Sequence, residues 1–219
     1  MSASLVGSEM CIRDRYIRLQ QAEMPMVFYD RIPYGMNVSQ VIVDDYIKAF
    51  FLVEHLIREG YRHIVHLQGP DDVYNSVERA RGYKDALAKF NIPFNKDRML
   101  KAGLTFKDGA NAADMLIEKG ISFDAIFAFT DTLAIGAMNR LRDLGKKIPE
   151  EIAIASFSGT VLSTIVYPQL TTVEPPLQQM GKVVAELIIE KIKEPLSPNR
   201  SIVLDAEIKL RASSKKEKK

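Results

Sequence analysis

Residues 41–70 read VIVDDYIKAFFLVEHLIREGYRHIVHLQGP. The stretch opens on an apolar run, Val41-Ile42-Val43, followed by Asp44-Asp45. That pair is a good N-cap, because a carboxylate there accepts from the open amides of a helix's first turn. Ile47, Phe50, Phe51, Glu54 and Ile57 then recur at helical spacing, and Gly60 supplies a C-terminal stop. The spacing predicts a helix over about 46–59. Phe50, Val53, Leu56 and Ile57 widen its apolar side, as a helix lying on a sheet requires. His63-Ile64-Val65-His66-Leu67 reads as the next strand, closed by Gly69-Pro70. Strand, helix and strand joined this tightly form a βαβ unit, and such units build a parallel sheet.

The alternation continues in both directions. Upstream, Met26-Val27-Phe28-Tyr29 is a short apolar strand ending at Asp30. Downstream, helices are expected over about 76–90, 107–119, 133–144 and 180–192, with strands over 124–129, 152–157, 202–204 and 207–210. The fold class is therefore α/β with parallel sheets. Ligands of such sheets collect beyond the carboxyl ends of the strands. That singles out Asp30, the loop 69–76, Thr130-Asp131 and Ser158-Gly159.

Composition narrows the classes. The chain has 219 residues, 47% of them hydrophobic, which is enough for a real core. Its net charge of +2 rests on the last five residues, which carry +3 and read as a solvated basic tail, 215–219. The body is thus slightly acidic, and a basic nucleic-acid face is not expected in it. One cysteine, Cys11, permits no internal disulfide and no thiolate cluster. No apolar run approaches the ~18 residues needed to span a bilayer, so no membrane partner is expected. Residues 1–15 place their basic residues last and carry Glu9 in the apolar part, which is not the order of an export signal. They show neither strand nor helix period, and are set aside as a non-native junction segment.

Catalytic chemistry is sparse. There is no glycine-rich phosphate loop and no nucleophile elbow. His63 and His66 stand three apart on one strand and face opposite sides, and His55 sits beside Glu54 on a helix. No cofactor, metal site or catalytic residue is expected. What the strand exits do offer is Asp30 and Asp131, with Arg79 at the start of the following helix. A carboxylate that accepts and a guanidinium that donates suit vicinal hydroxyls, and Tyr74 and Phe157 add aromatic faces. This describes a polyol pocket. The plainer readings are that Asp131 caps the helix after it, and that Asp30 pairs with Arg31 or Arg62 at the surface.

Several blocks together resemble the LacI/GalR family of bacterial transcription regulators. Met24-Pro25-Met26-Val27-Phe28-Tyr29-Asp30-Arg31 is similar to the family's Pro-Val-Val-Phe-x-Asp-Arg strand. Val43-Asp44-Asp45 with Glu54-His55-Leu56-Ile57, then Ser76-x-x-Arg79-x-x-Gly82-Tyr83, match the next two blocks. Ala128-Phe129-Thr130-Asp131 with Ala134-Ile135-Gly136-Ala137 resembles the Ala-x-Asn-Asp…Ala-x-Gly block, and residues 148–153, 170–173 and 207–214 complete the order.

The resemblance implies a two-lobed periplasmic-binding-protein-like domain with three interlobe crossovers, near 69–72, 172–176 and 204–207. The N-terminal lobe would comprise 16–70 and 176–204 and be incomplete, and the C-terminal lobe 71–173 and 205–214. It implies a small-molecule effector, a sugar or sugar derivative, held by Asp30, Tyr74, Arg79, Thr130, Asp131, Phe157 and Ser158. It implies a cytoplasmic homodimer, and here the helix over 133–144 places Ile135 and Met138 off the face of Ala134, Ala137 and Leu141, as candidate interface residues. Operator DNA would be read only through a helix-turn-helix headpiece that this sequence lacks, as expected of an N-terminally truncated regulator. Three positions depart from the family: Ser158 stands where an aspartate is usual, Thr130 replaces a common asparagine, and Pro175 replaces a glutamine. The alternatives are an exported sugar receptor, which requires an export signal, and an α/β sugar hydrolase, which requires a nucleophile or acid–base pair at the strand ends.

Overall fold

The computed structural model describes residues 8–32 and 35–216. In chain order the elements are α1 (Ser8–Gln21), β1 (Val27–Tyr29), β2 (Ser39–Val43), α2 (Asp45–Arg58), β3 (Ile64–Gln68), α3 (Tyr74–Lys89), β4 (Met99–Lys101), α4 (Phe106–Glu118), β5 (Ala125–Ala128), α5 (Asp131–Asp143), β6 (Ala153–Phe157), α6 (Leu162–Ile165), β7 (Thr171–Glu174), α7 (Leu177–Lys193), β8 (Ser201–Leu204) and β9 (Glu207–Lys209). They form two compact units. The smaller contains the chain up to Ile42 with Leu177–Val203, and the larger Val43–Pro176 with the remainder from Leu204. The expectations placed on residues 1–7 and 217–219 lie outside the described residues.

The smaller unit has a three-stranded sheet in the order β1-β2-β8. β1 and β2 run parallel, with Val27 opposite Ser39 and Tyr29 opposite Val41. Polar side chains tie β2 to the β8 segment: the Gln40 amide donates to Ser201 Oγ at 3.0 Å. Tyr16 of α1 meets Phe28 of β1 edge-to-face at 4.8 Å. Residues 8–15 are thus the start of a helix, correcting the reading that gave them no period. Met10, Arg13, Arg15, Leu19 and Gln20 are good helix formers, but they are not spaced as an apolar stripe.

The larger unit has a six-stranded sheet in the order β4-β3-β5-β6-β7-β9. All neighbours are parallel except β9, which pairs antiparallel with β7. Because side chains alternate along a strand, the two faces take different partners. Val65, Leu67, Ile126, Ala128 and Ile154 pack beneath α4 and α5. On the other face the His66 ring stacks on Phe127 at 4.6 Å and lies 5.3 Å from Tyr83 of α3. α2 packs along α3. The family resemblance implies a first passage between units near 69–72; it lies at Val43. The physical reason is that β3 is bonded on both sides within the larger sheet, so α2 and β3 both belong there.

Besides α1, sequence periodicity missed three elements. β4 is a three-residue edge strand ending in lysine, too short to show alternation. β7 is a threonine-rich strand whose Thr171 and Thr172 are fully buried. α6 is a single turn.

α4 and α5 cross with their backbones almost touching. A Cβ on Gly136 would lie 2.0 Å from the Phe106 carbonyl oxygen, and one on Gly109 would lie 2.1 Å from that of Leu133. Alanine in an exposed helix interior normally stabilises relative to glycine. Here the clash is with main chain, so Gly136→Ala is expected to destabilise the protein by about 1–3 kcal/mol, as overpacking does. A thermal melt reads the sign directly, since a raised Tm contradicts the close crossing.

Candidate functional site: the strand exits of the larger unit

The carboxyl ends of β3, β5, β6 and β7 lie side by side, and the segments leaving them carry most of the polar residues singled out by sequence. Arg79, in the second turn of α3, is 3% exposed. Its Nε donates to Asp45 Oδ1 at 2.8 Å and its Nη1 donates to the Phe129 carbonyl at 2.7 Å. The guanidinium carbon lies 3.6 Å from the centre of the Phe157 ring and 4.7 Å from that of Phe129. Ion pair, carbonyl and aromatic faces together fix this side chain in one orientation.

Asp45 was hidden in the sequence beside its neighbour. Asp44 is the cap of α2, with Oδ1 accepting from the Ile47 amide at 2.9 Å. Asp45 turns inward, is 4% exposed, and bridges to Arg79. Two adjacent aspartates read as one capping signal, and only the tertiary packing divides their roles. Phe129 was missed for a similar reason: it lies one residue beyond β5 and reads as strand core.

Asp131 is turned into the protein. It is fully buried, and four donors converge on its carboxylate. Ser156 Oγ and Thr172 Oγ1 donate to Oδ1, each at 2.6 Å, while the Thr160 amide and Oγ1 donate to Oδ2 at 2.7 and 2.9 Å. Its expected place at the pocket surface is corrected accordingly. The cap of α5 is Thr130, whose Oγ1 accepts from the Leu133 amide at 3.3 Å. The helix therefore begins at Asp131, and that side chain points into the protein, where it binds the start of α5 to β6, β7 and the loop after β6.

That loop carries Ser158. Its backbone has φ 137°, a region that favours glycine and that a side-chain-bearing residue occupies at a cost of order 1–3 kcal/mol. The Ser158 amide donates to the Val173 carbonyl at 3.0 Å. Gly159, at φ 61°, packs so closely on Glu174 that a Cβ would lie 2.5 Å from Glu174 Cγ. Tyr74 is half-buried at the first position of α3. Burial first, and then the Glu78 carboxylate, raise its phenol above the ordinary range. Asp30 belongs to the smaller unit, in the turn after β1, with φ 57°.

The structure thus groups Arg79, Phe157, Thr130 and Ser158 at one set of strand exits, and withdraws Asp131 into a structural role. Ile135 and Met138 are also corrected. They are 3% and 0% exposed and belong to the core of the larger unit, because α5 is covered by the sheet on one side and by α4 on another. Among the described residues no cluster of three histidine, cysteine, aspartate or glutamate side chains could hold a metal ion. Nor is any helix among them long and apolar enough to cross a membrane.

The larger unit is thus a mainly parallel α/β sheet whose strand exits hold a buried arginine between two aromatic rings. The chain belongs to the periplasmic binding protein-like domain family, which matches residues 53–214. It is 29% identical over 196 residues to the HTH-type transcriptional repressor PurR of Aliivibrio fischeri strain MJ11, covering 89% of this chain and 58% of that one. Among solved structures it is similar to the transcription regulator CcpA of Lactococcus lactis, with TM-score 0.87 and 28% identity over 95% of this chain and 76% of that one. It also resembles the regulator CelR in complex with cellobiose, with TM-score 0.84 and 28% identity over 89% and 60% of the two chains. The chain spans about three fifths of the length of the curated relatives it matches.

Proposed function

We propose that this chain is the effector-binding part of a sugar-responsive, LacI-type transcription regulator. The observation that carries the reading is Arg79, held by Asp45 and the Phe129 carbonyl with its guanidinium against Phe157, at the strand exits of a fold whose similar chains are transcription regulators. A guanidinium oriented in advance donates to ligand hydroxyls without spending side-chain entropy on binding, and the half-buried Tyr74 offers an aromatic face to the C–H face of a sugar ring. Tyr74, Thr130 and Ser158 complete the proposed ligand set of the larger unit; Asp30, in the smaller unit, is proposed by itself as an acceptor for a ligand hydroxyl. Ser158 is neutral, so this position discriminates by hydrogen bonding rather than by charge.

The parent protein is a non-enzymatic, cytoplasmic homodimer that reads operator DNA through a separate headpiece. Effector binding shifts its two states by a coupling of about 1–3 kcal/mol. One apolar surface available to a second copy lies around α6, where Val161, Ile165 and Tyr167 are 73%, 69% and 80% exposed; we propose it in place of Ile135 and Met138.

Calorimetric titration with cellobiose and a panel of neutral mono- and disaccharides tests the reading. At least one sugar is expected to bind saturably, and Ser158→Ala is expected to weaken it by about 1 kcal/mol, the worth of one hydrogen bond. If no sugar in the panel binds, or Ser158→Ala leaves the affinity of the sugar that does bind unchanged, the assigned face is wrong.

A further inference from the structure

The outer edge of the larger sheet is a second candidate site, remote in the strand order from β6 and β7. Among the described residues β4 is bonded on one side only, to β3. Its register sets Leu67 opposite Leu100, and the Ala102 amide donates to the Gln68 carbonyl at 3.0 Å. Main-chain groups alternate along a strand, so Leu100 and Ala102 bond inward while Met99 and Lys101 are directed outward. The Met99 amide is taken by the Lys96 carbonyl in the turn that precedes the strand. The outer rim therefore presents the Met99 carbonyl and both main-chain groups of Lys101, three points of one ladder.

Beside this rim runs a groove of about 490 Å³ lined by Lys96, Asp97, Met99, Leu100, Lys101 and, from α4 and the residues after it, Met115, Lys119 and Ile121. Met99, Leu100, Met115 and Ile121 are its apolar lining residues, and Met115 is 41% exposed. Its rim carries three lysines against one aspartate, and Lys101 is also ion-paired to Asp71. Lysines on an edge repel the same edge of another copy, so the charge selects against self-pairing and in favour of an acidic strand.

We propose that β4 and its groove are a docking site for an extended acidic peptide of a partner protein, added to the sheet as a further strand with alternate apolar side chains in the groove. Main-chain bonds to Met99 and Lys101 supply affinity, and Lys96 and Lys119 select acidic residues on the solvent side.

The test uses a fluorescein-labelled peptide alternating valine with glutamate, titrated into the full chain and followed by anisotropy, with amide exchange read at Lys101. A saturable rise is expected, falling in affinity about tenfold or more in Lys96→Glu/Lys119→Glu and in raised salt. Both lysines are exposed, so circular dichroism of this variant is expected to match the parent. The Lys101 amide is expected to exchange more slowly in the complex. No saturable binding, equal binding of a valine–lysine peptide, or equal binding of a single-stranded DNA oligonucleotide each overturns the proposal. So does binding without protection of Lys101, which would show charge attraction with no added strand.

Discussion

Asp45→Ala is expected to lower the unfolding free energy by about 3–5 kcal/mol, because it leaves the Arg79 guanidinium buried without its counter-charge. Both partners are almost wholly removed from water, and the bond between them is 2.8 Å. Arg79→Leu alone is expected to cost a similar amount, since it takes away the counter-charge of the buried Asp45 carboxylate and removes the ring stacking. Replacing both by leucine removes both buried charges together, and such exchanges are often neutral or stabilising. The double variant is therefore expected to unfold closer to the parent in urea than either single variant does. If its loss equals the sum of the two single losses, the pair is not coupled and the account of Arg79 is wrong. The double variant would in any case lose the proposed ligand clamp, so a loss of sugar binding without a matching loss of stability is expected in it.

The second large effect is a pH dependence centred on His66. Its Nδ1 lies 2.9 Å from the Phe127 carbonyl, its ring is wholly buried, and Nε2 has no hydrogen-bond partner. Burial pushes its pKa down from 6.5 to about 4; the bond to Phe127 opposes this, and the charges of Arg79 and Lys84 add to it. Unfolded chains take up the proton near pH 6.5 and the folded protein resists until about 4. Unfolding is therefore favoured progressively as the pH falls through that window, and the full contribution is present above it. Urea titrations at stepped pH are expected to show a loss of about 2 kcal/mol by about pH 5 and about 3 kcal/mol in all. His55, half-buried near Ser214, shifts in the same direction, so the decisive comparison is with His66→Gln. That side chain can still donate to Phe127 but does not titrate. If the slope between about pH 6.5 and 4 is the same in His66→Gln, the loss belongs to other groups.

Much of the architecture could be read before folding, for a physical reason. Strands such as β3, β5 and β6 are apolar runs bounded by glycine, aspartate or serine, and α2, α4 and α5 end at Gly60, Gly120 and Gly145, all at positive φ. What escaped was whatever tertiary packing overrides. β7 is buried although two of its four residues are threonine, because their hydroxyls are satisfied by Asp131, Arg211 and Ser214. The places of Arg79 and Phe157 beside the strand exits were visible because strand exits can be located from pattern alone. The roles of Asp45 and Asp131 were not, because each depends on which way one carboxylate turns at the first residue of a helix. Ile135 and Met138 misled because a helical wheel assumes one covered side, and α5 has more than one.

The four donors gathered on Asp131 have an evolutionary corollary. Ser156, Thr160 and Thr172 answer to one buried acceptor, so none of them can drift alone without leaving that carboxylate short of a partner. Ser158 stands outside the arrangement and owes it nothing but its position. A lineage could therefore exchange residue 158, the proposed point of effector choice, while the wall behind it is inherited as an indivisible set.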